Sequence, residues 1–331
     1  MSSSGMALPL NMNTTNTILT AANRWDHFLA RWRCKRSKHR VEPGLYALGR
    51  PAADSPVFVT ANYSLSFDAL RSSLRGVNGY IMVLDTDGVN VWCAAGKGTF
   101  GTEELIKRIE QTNIKNIINH RTVILPQLGA PGVLAHEVKK RTGFKVEYGP
   151  VRAKDLPRYL KSHKATPEMR EVRFSLADRL PLIPVELVSV LPVMIILAVA
   201  LYFLPDGIWL SAGAVAAFLS GVVLFPILLP WLPTRDFSMK GFILGAVVAL
   251  VLFLIKALVK DTDIFTWRQL GDLLGYILIW SPVTAFLSLN FTGSSTYTSR
   301  TGVRREINKY IRVMAVSLLI GIILSVLLAI F

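Results

Sequence analysis

The hydrophobic pattern divides the chain in two. Up to about Leu182 apolar and polar residues are mixed, and beyond it long apolar runs follow one another almost to the C-terminus. In the first half, short β-rich runs alternate with helix-like runs. Val57–Thr60, Tyr80–Leu84, Thr122–Leu125 and Lys145–Tyr148 predict strands. Ser66–Leu74, Thr102–Ile109, Gly132–Arg141 and Leu156–Lys161 predict helices, with Thr102 as N-cap ahead of Glu103 and Glu104. This alternation predicts a Rossmann-like α/β domain with a mostly parallel sheet over residues 51–165. Residues 1–50 read as a flexible basic leader, and 166–182 as a linker.

About 20 apolar residues in a helix cross a bilayer core of about 30 Å. Five segments are long enough: 183–204, 208–229, 241–259, 270–289 and 311–331. They predict an all-α membrane domain of five transmembrane helices over 183–331. Pro192, Pro226 and Pro282 are expected to kink their helices. Glu186 and Lys256 lie close enough to span ends to reach the interface. The hydroxyl-rich stretch from Asn290 to Ser299 reads foremost as a solvated linker, with a docking surface as the alternative.

Composition supports this division. Of 331 residues, 51% are apolar, and the mean hydropathy is +0.41, which excludes an ordinary soluble protein. The net charge of +15 lies mostly in the first half. Next to membrane spans, such charge marks a cytoplasmic face rather than a nucleic-acid partner. Arg170, Arg173 and Arg179 precede the first span, Arg235 and Lys240 follow the second, and Arg300, Arg304, Arg305, Lys309 and Arg312 follow the fourth. The expected topology is multi-pass in the cytoplasmic membrane, with the N-terminal domain in the cytoplasm and the C-terminus outside. Two cysteines, Cys34 and Cys93, make a disulfide framework improbable and cannot hold an iron–sulfur cluster.

Three loops follow predicted strands at their carboxyl ends, where open α/β sheets bind ligands: Thr60–Asn62, Asn90–Gly98 and Gln127–Gly132. The second holds a thiol beside an indole and among small residues, Asn90-Val91-Trp92-Cys93-Ala94-Ala95-Gly96-Lys97. Small side chains let a flat ligand approach the backbone. Gly96-Lys97-Gly98-Thr99 lacks the upstream glycine of a phosphate-binding loop, and no Gly-x-Gly-x-x-Gly follows a strand. The histidines are scattered, without zinc-site spacing. Cys34 sits in a basic, Trp-containing segment that reads as either an amphipathic interfacial stretch or a solvated arm.

The run Asn90–Thr102, together with Leu125–Gly132 and Tyr148–Ala153, resembles two related families. One is the cobalt-binding large subunit of the corrinoid iron–sulfur protein, and the other is the mercury-methylation corrinoid proteins. The five spans and the Asn290–Thr296 loop favour the second. The resemblance covers about Val57–Leu160. It implies a corrinoid bound base-off, with Cys93 as catalytic residue and lower axial ligand of cobalt. Contacts to the cofactor would come from Thr60, Asn90, Val91, Trp92, Cys93, Ala94, Ala95, Gly96, Lys97, Gln127, Gly129 and Ala153. Thiolate sulfur is a soft, strongly donating ligand suited to that position.

The implied activity is a membrane corrinoid-dependent methyltransferase that forms methylmercury from Hg(II). The implied partners are a dicluster [4Fe–4S] ferredoxin-like reductant and a methyltetrahydrofolate-type methyl donor acting through a methyltransferase. A membrane-anchored methyl carrier of one-carbon metabolism and a cobalamin uptake or storage module are the competing readings. Neither has a use for a thiolate under cobalt.

Overall fold

The computed structural model describes residues 12–35, 38–295 and 300–330, with only the backbone of Arg300. The chain divides into two compact units at Val172/Arg173.

The first unit is built on one six-stranded mixed sheet. Its elements are β1 (Asn13–Thr15), α1 (Ala21–Arg31), β2 (Gly44–Leu48), β3 (Val57–Ala61), α2 (Ser64–Ser73), β4 (Gly79–Leu84), α3 (Val91–Lys97), α4 (Thr102–Gln111), β5 (Thr122–Leu125), α5 (Ala135–Thr142), β6 (Lys145–Tyr148) and α6 (Leu156–Tyr159). Strand order is β1-β2-β4-β3-β5-β6. All neighbours are parallel except β2 and β4, which pair antiparallel from Gly44↔Val83 to Leu48↔Gly79. The four predicted strands are present. β3, β4 and β5 are apolar on both faces, as central parallel strands are, whereas the edge strand β6 carries Lys145 and Glu147.

The side chains of Val59, Met82 and Leu125 pack with α3, α4 and α5 on one face. Those of Phe58, Ile81 and Ile124 pack with α2 and α6 on the other. The chain leaves β3 toward one side of the sheet and β5 toward the other. The carboxyl ends of these adjacent strands therefore form a topological switch point.

Residues 12–50 do not form a flexible leader. They contribute β1, α1 and β2, and Arg71 of α2 clamps them. The Arg71 guanidinium is buried and donates to the Asn16 and Ile18 carbonyls at 2.7 and 2.8 Å and to Asn23 Oδ1 at 3.0 Å. β1 and α1 looked unstructured because polar contacts hold them rather than an apolar stripe, whereas the short β2 buries Leu45, Ala47 and Leu48 beside β4. The proposed linker is also partly fixed, since Met169 is buried and its carbonyl accepts from the Val151 N–H at 2.8 Å.

In the second unit, five helices are long and apolar enough to cross a membrane: Leu176–Tyr202, Gly207–Leu228, Phe237–Val259, Trp267–Ser294 and Thr301–Ile330. These are the five predicted spans, lengthened mainly at their polar ends. Small residues set their spacing. A Cβ on Gly241 would lie 2.6 Å from the Ala285 backbone, and one on Gly245 would lie 2.7 Å from that of Ser281. Such small-residue contacts let membrane helices pack backbone to backbone. The second span contains a π-helical turn at Ser220–Leu224, just before Pro226. Proline lacks the N–H and crowds the carbonyl four residues earlier, and the wider turn accommodates this. The Pro226 carbonyl has no N–H four residues on, because Pro230 stands there, and Arg179 donates to it at 2.7 Å.

Two expectations for this unit change. Lys256 does not reach outward. It is buried, 2.7 Å from Asp206, with its ammonium 5.2 Å from the centre of the Tyr276 ring. The stretch after Asn290 is not a solvated linker over its described part. Phe291, Thr292 and Ser295 are buried, and the Ser294 hydroxyl donates to Glu186 at 2.9 Å. Residues 296–299 lie outside the described residues.

Candidate functional site

The site is built at the carboxyl ends of β3, β4 and β5. Helix α3 follows β4, and Asn90 starts it. The Asn90 backbone is extended and its side chain accepts from the Cys93 N–H at 3.0 Å. Gly98 ends the helix with φ +88°, a left-handed conformation that glycine adopts without strain. Within α3 the exposures separate by face. Val91, Ala94 and Ala95 are buried against the sheet, whereas Trp92 and Cys93 are partly open and Gly96 and Lys97 are exposed. The free thiol of Cys93 therefore lies on the outward face, flanked by an indole, a residue without a side chain and a cation.

The small residues Ala94 and Ala95 are buried on the inward face of α3. They let α3 sit close to the loop after β5. A Cβ on Gly132 would fall 2.1 Å from the Phe100 carbonyl oxygen and 3.0 Å from Ala95 Cα. One on Gly129 would fall 2.5 Å from the Phe100 ring, which is fully buried behind α3. The structure thus brings Asn90–Lys97 and the Gln127–Gly132 loop together.

Thr102 is the first residue of α4 rather than its N-cap; Gly101 is the cap. The Thr102 hydroxyl instead accepts from the Leu134 N–H at 2.8 Å and pins the far end of the same loop. Gln127 is already engaged, its Oε1 accepting from Arg170 at 2.5 Å. Thr60 and Ala153 are placed elsewhere. Thr60 is buried at the end of β3 on the face of Phe58, and Ala153 packs into the same α2 layer, across the sheet from α3.

Asn62, marked in the sequence only as part of a strand-end loop, is the brace of the site. It is buried, and its Oδ1 accepts from the Thr86 N–H at 3.1 Å, the Thr86 hydroxyl at 2.8 Å and the Gly88 N–H at 2.9 Å. Its Nδ2 donates to Asp85 at 2.9 Å. One amide thereby locks the loop after β3 to the loop that launches α3. Glu104 of α4 adds a bond from the Asp85 N–H at 2.9 Å. A lone Asn ending an apolar strand was the available signal.

At the opposite end of β3 and β5 a separate cavity of about 500 Å³ is lined by Asp54, His120, Glu147 and His163 among apolar residues. Burial there pulls the Glu147 carboxyl up, but the His163 ring and the Lys145 ammonium at 3.2 Å outweigh it and hold the group below its ordinary value. Burial and the Glu147 charge push Tyr159 up to about 12.

The donors available at α3 fit a single-sulfur ligand site. Among the described residues no group of three His, Cys, Asp or Glu could hold a metal by itself, so Cys93 stands alone as a soft donor. The Thr99 hydroxyl, directly after Gly98, is buried without a hydrogen-bond partner, a polar atom at the foot of α3 still to be satisfied.

Residues 33–160 match the family described as CO dehydrogenase/acetyl-CoA synthase delta subunit. The chain is similar to acetyl-CoA decarbonylase/synthase complex subunit gamma of several organisms. Against that of Archaeoglobus fulgidus it is 36% identical over 118 residues, 35% of this chain and 25% of that protein. Against that of Methanopyrus kandleri it is 32% identical over 127 residues, 38% and 27% of the two chains. Against that of Methanocaldococcus jannaschii it is 35% identical over 111 residues, 33% and 22%. The chain spans about a quarter of the length of these curated relatives. The family match starts upstream of Val57 and takes in β2, in keeping with a folded N-terminal segment.

Proposed function

We propose that the first unit binds a corrinoid base-off, with Cys93 Sγ as the lower ligand of its cobalt, and that the chain delivers a methyl group to Hg(II) as a membrane-bound corrinoid-dependent methyltransferase. The observation that carries this reading is the free, partly open Cys93 thiol on the outward face of α3, at the carboxyl ends of parallel strands. The similarity of residues 33–160 to acetyl-CoA synthase subunits supports it. The bound corrinoid would supply the methyl group.

This chain's own residues do the positioning. Asn90 holds the first turn of α3 and so fixes where Sγ points. Asn62 and Thr86 hold the segment before it. Gly96 leaves the outer face of α3 flat beside the sulfur, and Gly129 and Gly132 let the neighbouring loop close against Phe100. A thiolate at Cys93 would be a strongly donating soft ligand for the corrinoid's cobalt, and the group would supply methyl transfer to a soft acceptor such as Hg(II), chemistry that would consume two electrons per turnover. With two cysteines the chain holds no cluster, so a separate dicluster [4Fe–4S] reductant is required, and a methyltetrahydrofolate-type donor would supply the next methyl.

In this reading the chain is multi-pass in the cytoplasmic membrane; the five apolar helices are compatible with it, and the basic loops support a cytoplasmic first unit and an outer residue 331. A second reading, a membrane-anchored methyl carrier of one-carbon metabolism, is favoured by the names of the relatives. Cys93→Ala separates the two. Retained corrinoid with methylmercury formation lost in the variant supports the first reading; undiminished formation contradicts the role of the Cys93 thiolate, and a corrinoid-loaded wild type that forms no methylmercury supports the second.

A further inference from the structure

Helix α1 is amphipathic in the opposite sense to a helix that docks by its apolar face. Its polar residues face the domain. Asp26 lies 2.6 Å from His39 Nδ1 and accepts from the Ser64 hydroxyl at 2.5 Å. His27 Nε2 lies 2.8 Å from Asp68, and Asn23 accepts from Arg71 at 3.0 Å. Positions 23, 26, 27 and 30 form one helix face. The opposite face carries Trp25, Phe28 and, one turn on, Trp32, which are 61%, 47% and 36% exposed. Trp25 and Phe28 stack with ring centres 5.2 Å apart, and Phe28 and Trp32 are 5.8 Å apart. No residue of α1 is buried. The fold therefore uses hydrogen bonds and ion pairs to hold a helix whose aromatic side is directed away from the core.

The charge around that stripe is one-sided. From Arg24 to Arg40 the sequence has seven Arg or Lys and a single acid, Asp26, which is turned inward. Arg24, Arg31 and Lys35 are exposed. Aromatic rings with flanking cations are what a helix lying in an anionic lipid interface presents, because Trp settles at the headgroup level and Arg and Lys meet the phosphates. The chain's own apolar helices would keep it at such a surface. We infer that α1 is an interfacial helix, and that Trp25, Phe28 and Trp32 insert into the headgroup region of an anionic bilayer. The inference rests on the membrane reading of the five apolar helices.

The test uses the full chain in lipid nanodiscs and the conservative variant Trp25→Phe/Trp32→Phe, which keeps the aromatic stripe. Subtracting the variant's tryptophan emission from the wild type's isolates the emission of Trp25 and Trp32. In discs containing phosphatidylglycerol the difference spectrum is expected to be blue-shifted and quenched by brominated lipids. Arg24→Gln/Arg31→Gln is expected to reduce that quenching to its level in phosphatidylcholine discs. A difference spectrum typical of water, or one that is blue-shifted yet untouched by brominated lipid because protein covers the rings, would overturn the inference. Release of the chain from native membranes by alkaline carbonate would instead overturn the spanning reading beneath it.

Discussion

At the scale of single residues, the sequence pointed to Cys93 and its neighbours through an unusual run of small residues. It did not reveal why those residues are small. Ala94 and Ala95 look inward, and only Trp92, Cys93, Gly96 and Lys97 form the open face. Residue spacing does not give the rotation of a seven-residue helix, and packing against Gly132 decides it here. Asn62 was hidden for a related reason: its role depends on a single loop whose Thr86 and Gly88 lie 24 and 26 residues further along. Asn62→Ala would leave the Thr86 and Gly88 N–H groups without their acceptor and is expected to cost about 2–4 kcal/mol. Chemical denaturation would measure this, together with faster thiol labelling of Cys93 as the loop loosens. Asn90→Ala removes a helix cap and is expected to cost about 1 kcal/mol. The folded state holds Glu147 below its ordinary value, so its contribution to stability is present above about pH 4.5 and is lost as pH falls below that. Glu147→Gln should flatten the acid limb of a pH–stability curve there and leave the neutral region's slope unchanged.

At the scale of elements, the central strands β3, β4 and β5 and the five apolar helices were legible because each is a run of apolar residues, and β6 was legible from its short β-rich run after a helix. Residues 13–48 were not. β1 and α1 are held by Arg71, Asp68 and His39, polar side chains whose pairing depends on elements distant in sequence, and β2 is a five-residue strand whose apolar side chains find their partners in β4. Arg71→Ala is therefore expected to release β1 and α1 while the parallel strands stay folded. Hydrogen exchange would show it as lost protection confined to about residues 13–31. Gly132→Ala should act through a different element. The added Cβ meets backbone at Phe100, so α3 must move, and corrinoid binding is expected to fall while the fold persists.

At the scale of the whole molecule, a compact α/β unit precedes a helical unit whose apolar surface suits a bilayer. The family match lies within the first unit, and the similarity to the relatives covers about a quarter of their own length. In the proposed topology the charge bias of the loops would orient the five apolar helices. A reporter fused after Phe331 is expected to be active only outside the cytoplasm, and cytoplasmic activity would reverse the topology. The central claim is that one sulfur of this chain sits under the metal of a corrinoid. X-ray absorption at the cobalt edge of the corrinoid-loaded full chain tests it most directly. Wild type is expected to show a cobalt–sulfur shell that disappears in Cys93→Ala while corrinoid remains bound. The same sulfur-free first shell in both proteins would contradict the account.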